Sequence, residues 1–226
     1  MSKQAFVTGA TGFIGHHFCR MLWRRGWKAR VLAPRPWRAW LHINRWEMMV
    51  YYGGLEDTAF LAEAMEGCDA VFHLAGVTRA RSRAEFNAVN LFGCRQLARA
   101  IDLADYRGPV VNVGSLAAGG PSTGDPRREQ DPSNPISHYG ASKLAGEEAL
   151  REINSPERLV SLRPGPIYGP GEEHWPAVIA KAAHQGRVLL PQPDMAIQPT
   201  HVRDLCRAMI LAAEHVEDLP AFCYVN

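Results

Sequence analysis

Cysteine is sparse in this sequence, and what there is does not pair. Cys19, Cys68, Cys94, Cys206 and Cys223 lie far apart and form no Cys-x-x-Cys unit. That spacing offers neither a disulfide framework nor a zinc site, and fits reduced thiols used as small core residues. An excess of one charge is also missing: 25 Lys and Arg face 23 Asp and Glu, a formal net charge of +2. So balanced a chain carries no electrostatic footprint for nucleic acid or an anionic membrane. No apolar run reaches the length of a membrane span, and Gly9, Thr11 and Gly12 interrupt the N-terminal one before it could serve as a signal peptide. A cytoplasmic location is therefore expected. Metal-ligand spacing is absent as well, since the adjacent His16 and His17 cannot easily face one ion from a helix. No metal is expected, and no repeat or low-complexity tract competes with a globular reading.

What remains is ordinary for a folded domain: 226 residues, 46% of them hydrophobic and 21% charged. Ala5, Phe6 and Val7 form a short apolar run, residues 8–15 read TGATGFIG, and Phe13, Ile14, Phe18, Met21 and Leu22 then recur at helical spacing. A strand, a glycine-rich turn and a helix in that order make an anion site, because the first N–H groups of a helix lack internal partners. The expected guest is a dinucleotide pyrophosphate. Gly9 would permit the tight bend, Gly12 the close approach of phosphate, and Gly15 close packing of the helix on its strand.

Further strands are expected at 27–33, 47–52, 69–75 and 108–113, with helices over 57–66 and, as one long element, 84–105. The consecutive apolar residues of 69–75 fit a strand covered on both faces. His73 within it is expected to be a hydrogen-bonded core residue. Segment 119–135 is loop by its glycine and proline content. Helical spacing returns over 138–150, 175–185 and 202–215, and strand character at 188–190 and 222–226. Strands alternating with helices at this rhythm predict an α/β doubly wound parallel sheet, the Rossmann fold.

At the end of its second strand such a fold usually offers a carboxylate to the adenosine ribose. Here stand Ala33, Pro34 and Arg35, with Arg38 beyond. An arginine clamps a 2′-phosphate that a carboxylate would repel, so NADP is expected over NAD, with NAD left open. Solvated loop arginines are the plainer alternative. Trp37, Trp40, Trp46 and Arg45 in the same stretch suit either a cover over the adenine or a partner surface.

Tyr139 and Lys143 lie four residues apart and share one helix face. An ammonium beside a phenol stabilises the phenolate and brings its proton within reach of catalysis near neutral pH. Alone the pair is weak. It stands, however, in one order with TGATGFIG, HLAG at 73–76, Asn90, Ser115, RPGPIYGPG at 163–171 and HVRDL at 201–205. Together these motifs resemble the extended short-chain dehydrogenase/reductase family, also called the NAD(P)-dependent epimerase/dehydratase family.

The resemblance implies roles position by position. Gly9, Thr11, Gly12, Phe13, Ile14 and Gly15 would hold the pyrophosphate; Arg35 and Leu55 would lie toward the adenosine; Leu74, Ala75, Gly76 and Asn90 would line the cofactor's path. Tyr139 and Lys143 would touch the nicotinamide ribose, with Pro164 and Ile167 near the nicotinamide. Ser115, Tyr139 and Lys143 would be catalytic: Ser115 bonds the substrate oxygen, Tyr139 exchanges its proton, and Lys143 supports both Tyr139 and the ribose. A hydride would pass between the nicotinamide and a small carbonyl or alcohol. Two alternatives stay open, a nucleotide-sugar epimerase and a non-catalytic NADP-binding or sensing protein. The expected partners are a small-molecule substrate and at most a second copy of the chain, a homodimer.

Three departures from the family pattern shape these expectations. Gly53-Gly54 stands where an Asp often faces the adenine, Leu116-Ala117 follows Ser115 where dehydratases carry Asp-Glu, and the chain is shorter than most members. A single domain over 1–226 is expected, with segments 165–200 and 216–226 contributing a small, partial C-terminal substrate lobe. His174 and Trp175 would follow the 168–171 turn, toward substrate or surface.

Overall fold

A computed structural model describes residues 2–34, 46, 48–122, 125–172, 182, 184–186 and 198–225. Arg35, Arg38, His174, Trp175, the expected helix over 175–185 except for three positions, and the expected strand at 188–190 lie outside the described residues.

Seven strands form one parallel sheet: β1 (Gln4–Thr8), β2 (Lys28–Ala33), β3 (Met49–Tyr52), β4 (Ala70–His73), β5 (Val110–Val113), β6 (Leu159–Pro164) and β9 (Phe222–Val225). Their spatial order is β3-β2-β1-β4-β5-β6-β9, with every neighbouring pair parallel. The chain winds outward from β1 in one direction and then returns to start again at β4 on the other side. Between β1 and β4 lies the switch point, beyond whose C-terminal ends such sheets bind ligands. Two short strands, β7 (Ile167–Tyr168) and β8 (Thr200–His201), pair in parallel apart from the main sheet.

Burial on both faces explains the apolar strand sequences. Ala5, Val7, Phe72, Val111 and Val160 face a core closed by α1 (Phe13–Arg24) and α7 (Val202–Glu214). Phe6, Val71, Val110 and Leu159 face the opposite core, closed by α2 (Thr58–Met65), α4 (Phe92–Leu103) and α6 (His138–Leu150). Strand alternation sends successive side chains to the two layers. Trp46 is buried at 9% exposure in the first core, its ring 4.9 Å from that of His16, while Trp37, Trp40 and Arg45 of the same stretch lie outside the described residues.

Three elements differ from the sequence expectations. The long helix over 84–105 is two, α3 (Arg83–Asn90) and α4, meeting at Leu91. The cause is a close crossing: a Cβ on Gly146 of α6 would stand 2.2 Å from the Asn90 carbonyl oxygen, which turns toward α6 there. Strand β6 was not expected at all, because its apolar residues are few, Leu159, Val160 and Leu162, and are broken by Ser161 and ended by Arg163 and Pro164. Phe222–Val225 pairs with β6 in the main sheet, so of the segments assigned to a C-terminal lobe it belongs to the central layer.

Candidate active site

The glycine turn follows from backbone geometry. Gly9 has φ +71°, and a Cβ on it would stand 2.5 Å from both Ala75 N and Leu74 C. Only glycine lets this turn sit directly against the end of β4. Gly15 brings α1 onto the same turn, where its Cβ would meet Gly9 O at 2.2 Å. Gly12 caps α1 without any side-chain hydrogen bond, and the first helical turn holds no acidic residue. An exposed helix start of this kind fits a pyrophosphate. Thr8 Oγ1 accepts from Ala75 N at 3.3 Å, so residues 9–15 and 74–76 form one continuous rim. Leu55 packs near α4, where a Cβ on Gly93 would meet its Cδ1 at 2.7 Å. Beside it the exposed Glu56 carboxylate fills the space over Gly54, 2.0 Å from where a Cβ would lie, and so supplies an acid next to the position where the sequence lacks one.

Ser115 caps the short helix α5 (Leu116–Gly119), and its Oγ accepts from Ala117 N at 3.2 Å. Helix α6 begins at the Ser137 cap, whose Oγ accepts from Gly140 N at 3.0 Å. The two helices touch because Gly140 has no side chain: a Cβ there would be 2.3 Å from Ala117 O. This contact sets the Ser115 turn beside Tyr139. One turn along α6, the buried Lys143 donates from Nζ to Val113 O at 2.7 Å, clamping the helix to the end of β5. Gly76 opens onto the same place, an added Cβ being 3.6 Å from Lys143 Nζ. The structure thus brings Ser115, Tyr139, Lys143 and Gly76 to neighbouring strand ends.

Asn90 lies beside this cluster. It is buried at 1% exposure, accepts from Val77 N at 2.9 Å, and donates from Nδ2 to Val77 O at 3.0 Å and Ser142 Oγ at 2.9 Å. Ser142 in turn donates to Tyr139 O at 2.7 Å. Through these bonds Asn90 ties the loop after β4 to the helix carrying Tyr139. Pro164 is buried at the end of β6 and Ile167 half-buried in β7.

Beneath these residues runs a polar layer. Thr8 Oγ1 lies 2.7 Å from His73 Nδ1, and Cys94 Sγ lies 3.4 Å from His73 Nε2. Burial, reinforced by the charge of Lys143, pushes the His73 pKa down to about 3, so the imidazole is neutral. Burial pushes the Cys94 thiol up to about 11, against the pull of Lys143. Glu147 and Arg163 form a buried ion pair at 2.6 Å. Burial raises the Glu147 pKa, while Arg163 and Lys143 pull it back. Glu147 did not stand out in the sequence and Arg163 did so only as the first residue of the 163–171 motif, although Tyr139, Lys143 and Glu147 repeat every four residues. That i, i+4, i+8 stripe was the available signal. Among the described residues no group of three or more His, Cys, Asp or Glu could hold a metal, and no helix is long and apolar enough to cross a membrane.

Residues 5–224 match the NAD dependent epimerase/dehydratase family. The chain belongs to that family. It is 33% identical to the ceramide reductase of Caulobacter vibrioides, over 94% of this chain and 64% of that protein. It is 31% identical to a 4-hydroxy-2-methyl-3-oxo-4-farnesyl-3,4-dihydroquinoline-1-oxide ketoreductase of Stigmatella aurantiaca, over 93% of this chain and 64% of that one. The chain thus spans less than two thirds of the length of these relatives. Among solved structures it resembles MoeE5 in complex with UDP-glucose and NAD, with TM-score 0.81, 26% identity, and coverage of 99% of this chain and 76% of that one.

Proposed function

We propose that the chain carries the cofactor-binding and catalytic part of an NADPH-preferring reductase that acts on a ketone borne by a bulky apolar molecule. What supports this reading is that the Lys143–Val113 bond and the Gly140–Ala117 contact join the start of α6, which carries Tyr139 and Lys143, to the turn that begins at Ser115. The substrate class is drawn from the two relatives named for ceramide and for a farnesyl-bearing ketone. Ile136, three residues before Tyr139, is 80% exposed and suits an apolar guest. The preference for NADPH rests on the end of β2, where Ala33, Pro34 and Arg35 offer no carboxylate.

When bound, the nicotinamide supplies the hydride. In this reading Ser115 Oγ holds the ketone oxygen and Tyr139 Oη gives it a proton. Lys143 sustains the phenolate left behind and bonds the ribose. The open start of α1 holds the pyrophosphate, and residues 74–76 guide the chain of the cofactor between the two ends.

The test is titration with NADPH and NADH, followed by turnover of a long-chain 3-oxo ester and of UDP-glucose. NADPH is expected to bind about tenfold more tightly than NADH, about 1.4 kcal/mol. Net NADPH consumption with the ester should fall about 100-fold or more in Tyr139→Phe. Binding of neither cofactor, or conversion of UDP-glucose without net cofactor change, would overturn the reading.

A further inference from the structure

Tyr139, Lys143 and Glu147 form one stripe along α6, and its buried end is built more tightly than its exposed one. Arg163 donates to Glu147 Oε2 from Nη2 at 2.6 Å and from Nε at 3.0 Å, and its Nε lies 3.3 Å from Oε1. Nη1 donates to Ser133 Oγ at 2.9 Å, and the guanidinium carbon stands 3.5 Å from the centroid of the Phe222 ring. On its other side the carboxylate lies under Gly114, where a Cβ would be 2.3 Å from Oε1. Gly114 N itself donates to Leu162 O at 2.7 Å. Three segments therefore meet at this pair: Val113 to Ser115, the middle of α6, and the end of β6 leading to Pro164.

We propose that Glu147, through its ion pair with Arg163, is the positioning residue that sets Lys143 and Ser115 against Tyr139. The proposal rests on the reading of those three as the catalytic set. Glu147 is the only buried carboxylate among the described residues, and it lies between two buried cations, Lys143 and Arg163. His73 adds no charge to this layer. Without Glu147 two cations would remain with no anion, and Lys143 would be driven from its place at Val113 O. Stability alone is a poor account of the pair, because apolar side chains of similar volume commonly replace a buried ion pair without loss. Its geometry instead fixes α6 in register and azimuth: the fork of Arg163 admits the carboxylate in one orientation, and Gly114 leaves room for it on one side.

A double-mutant cycle on the full chain tests this. NADPH dissociation constants are measured for the wild type, Lys143→Met, Glu147→Gln and the double variant, with thermal melting to establish folding. Glu147→Gln is expected to weaken NADPH binding at least about fivefold. The double variant should fall within about twofold of Lys143→Met alone, because Glu147 acts through Lys143. Losses that multiply, or a Glu147→Gln protein that binds within about twofold of wild type, would overturn the proposal. Should Glu147→Gln fail to fold, Gly114→Ala takes its place in the cycle, displacing the carboxylate while keeping both charges, and is read by the same criteria. A wild type that binds NADPH but reduces no ketone sinks the proposed activity and leaves this cycle decisive. A wild type that binds neither nicotinamide cofactor overturns both.

Discussion

Gly9 meets two demands at one position, a left-handed backbone at φ +71° and a contact with β4 that leaves no room for a methyl group. Gly9→Ala should lower unfolding stability in urea by about 2 kcal/mol or more and weaken NADPH binding together with it. His73 makes a prediction of a different kind. An unfolded histidine takes up a proton near pH 6.5, whereas the folded one resists until about pH 3. This group therefore leaves stability unchanged above pH 6.5 and removes it as the pH falls toward 3, by at most about 1.4 kcal/mol per pH unit. Urea titrations between about pH 7 and pH 5 should show the slope, and His73→Gln should flatten it; an unchanged slope would mean another group titrates. At this scale the glycines and the Tyr139–Lys143 pair were legible because local spacing encodes them. The pairing of Glu147 with Arg163 and the bonds of Asn90 to Val77 and Ser142 were not, since these partners are brought together from different strands, loops and helices.

Helix α6 is held by what its glycines omit. At Gly140 it meets Ala117 and at Gly146 the Asn90 carbonyl, so the start and the middle of the helix both approach other backbone directly. In an exposed helix Gly→Ala adds about 1 kcal/mol of stability. Gly146→Ala should instead remove about 1–3 kcal/mol, because the methyl group must push α6 off the junction of α3 and α4; a stabilised variant in urea unfolding would contradict the crossing described. The same crossing explains why apolar periodicity suggested a single helix over 84–105. Periodicity reports which face is buried and runs unbroken through Leu91, whereas the break arises from a neighbour that lies more than fifty residues away. Strands β1, β2, β4 and β5 were legible as consecutive apolar runs. Strand β6 was hidden because Ser161 breaks its apolar run and Arg163 and Pro164 end it after Leu162.

Across the whole molecule the order of strands does the organising. Placing β1 beside β4 puts the open start of α1, the rim at 74–76 and the Ser115 turn on one side of the sheet, at neighbouring strand ends. α6 then crosses behind them and delivers Tyr139 and Lys143 to that edge. The doubly wound class was legible from the alternation of elements, and its ligand edge follows from the class. The substrate side was less so, because much of 165–200 lies outside the described residues and the chain spans 64% of its named relatives. The central claim is that this edge moves a hydride to a ketone while Tyr139 supplies the proton. Its most direct test is reduction of a long-chain 3-oxo ester with NADPH dideuterated at C4 of the nicotinamide, followed by mass analysis of the alcohol. The account predicts one deuterium on the carbinol carbon with the wild type, formed at least about 100-fold more slowly by Tyr139→Phe. Alcohol without deuterium, or an undiminished rate in Tyr139→Phe, would contradict it.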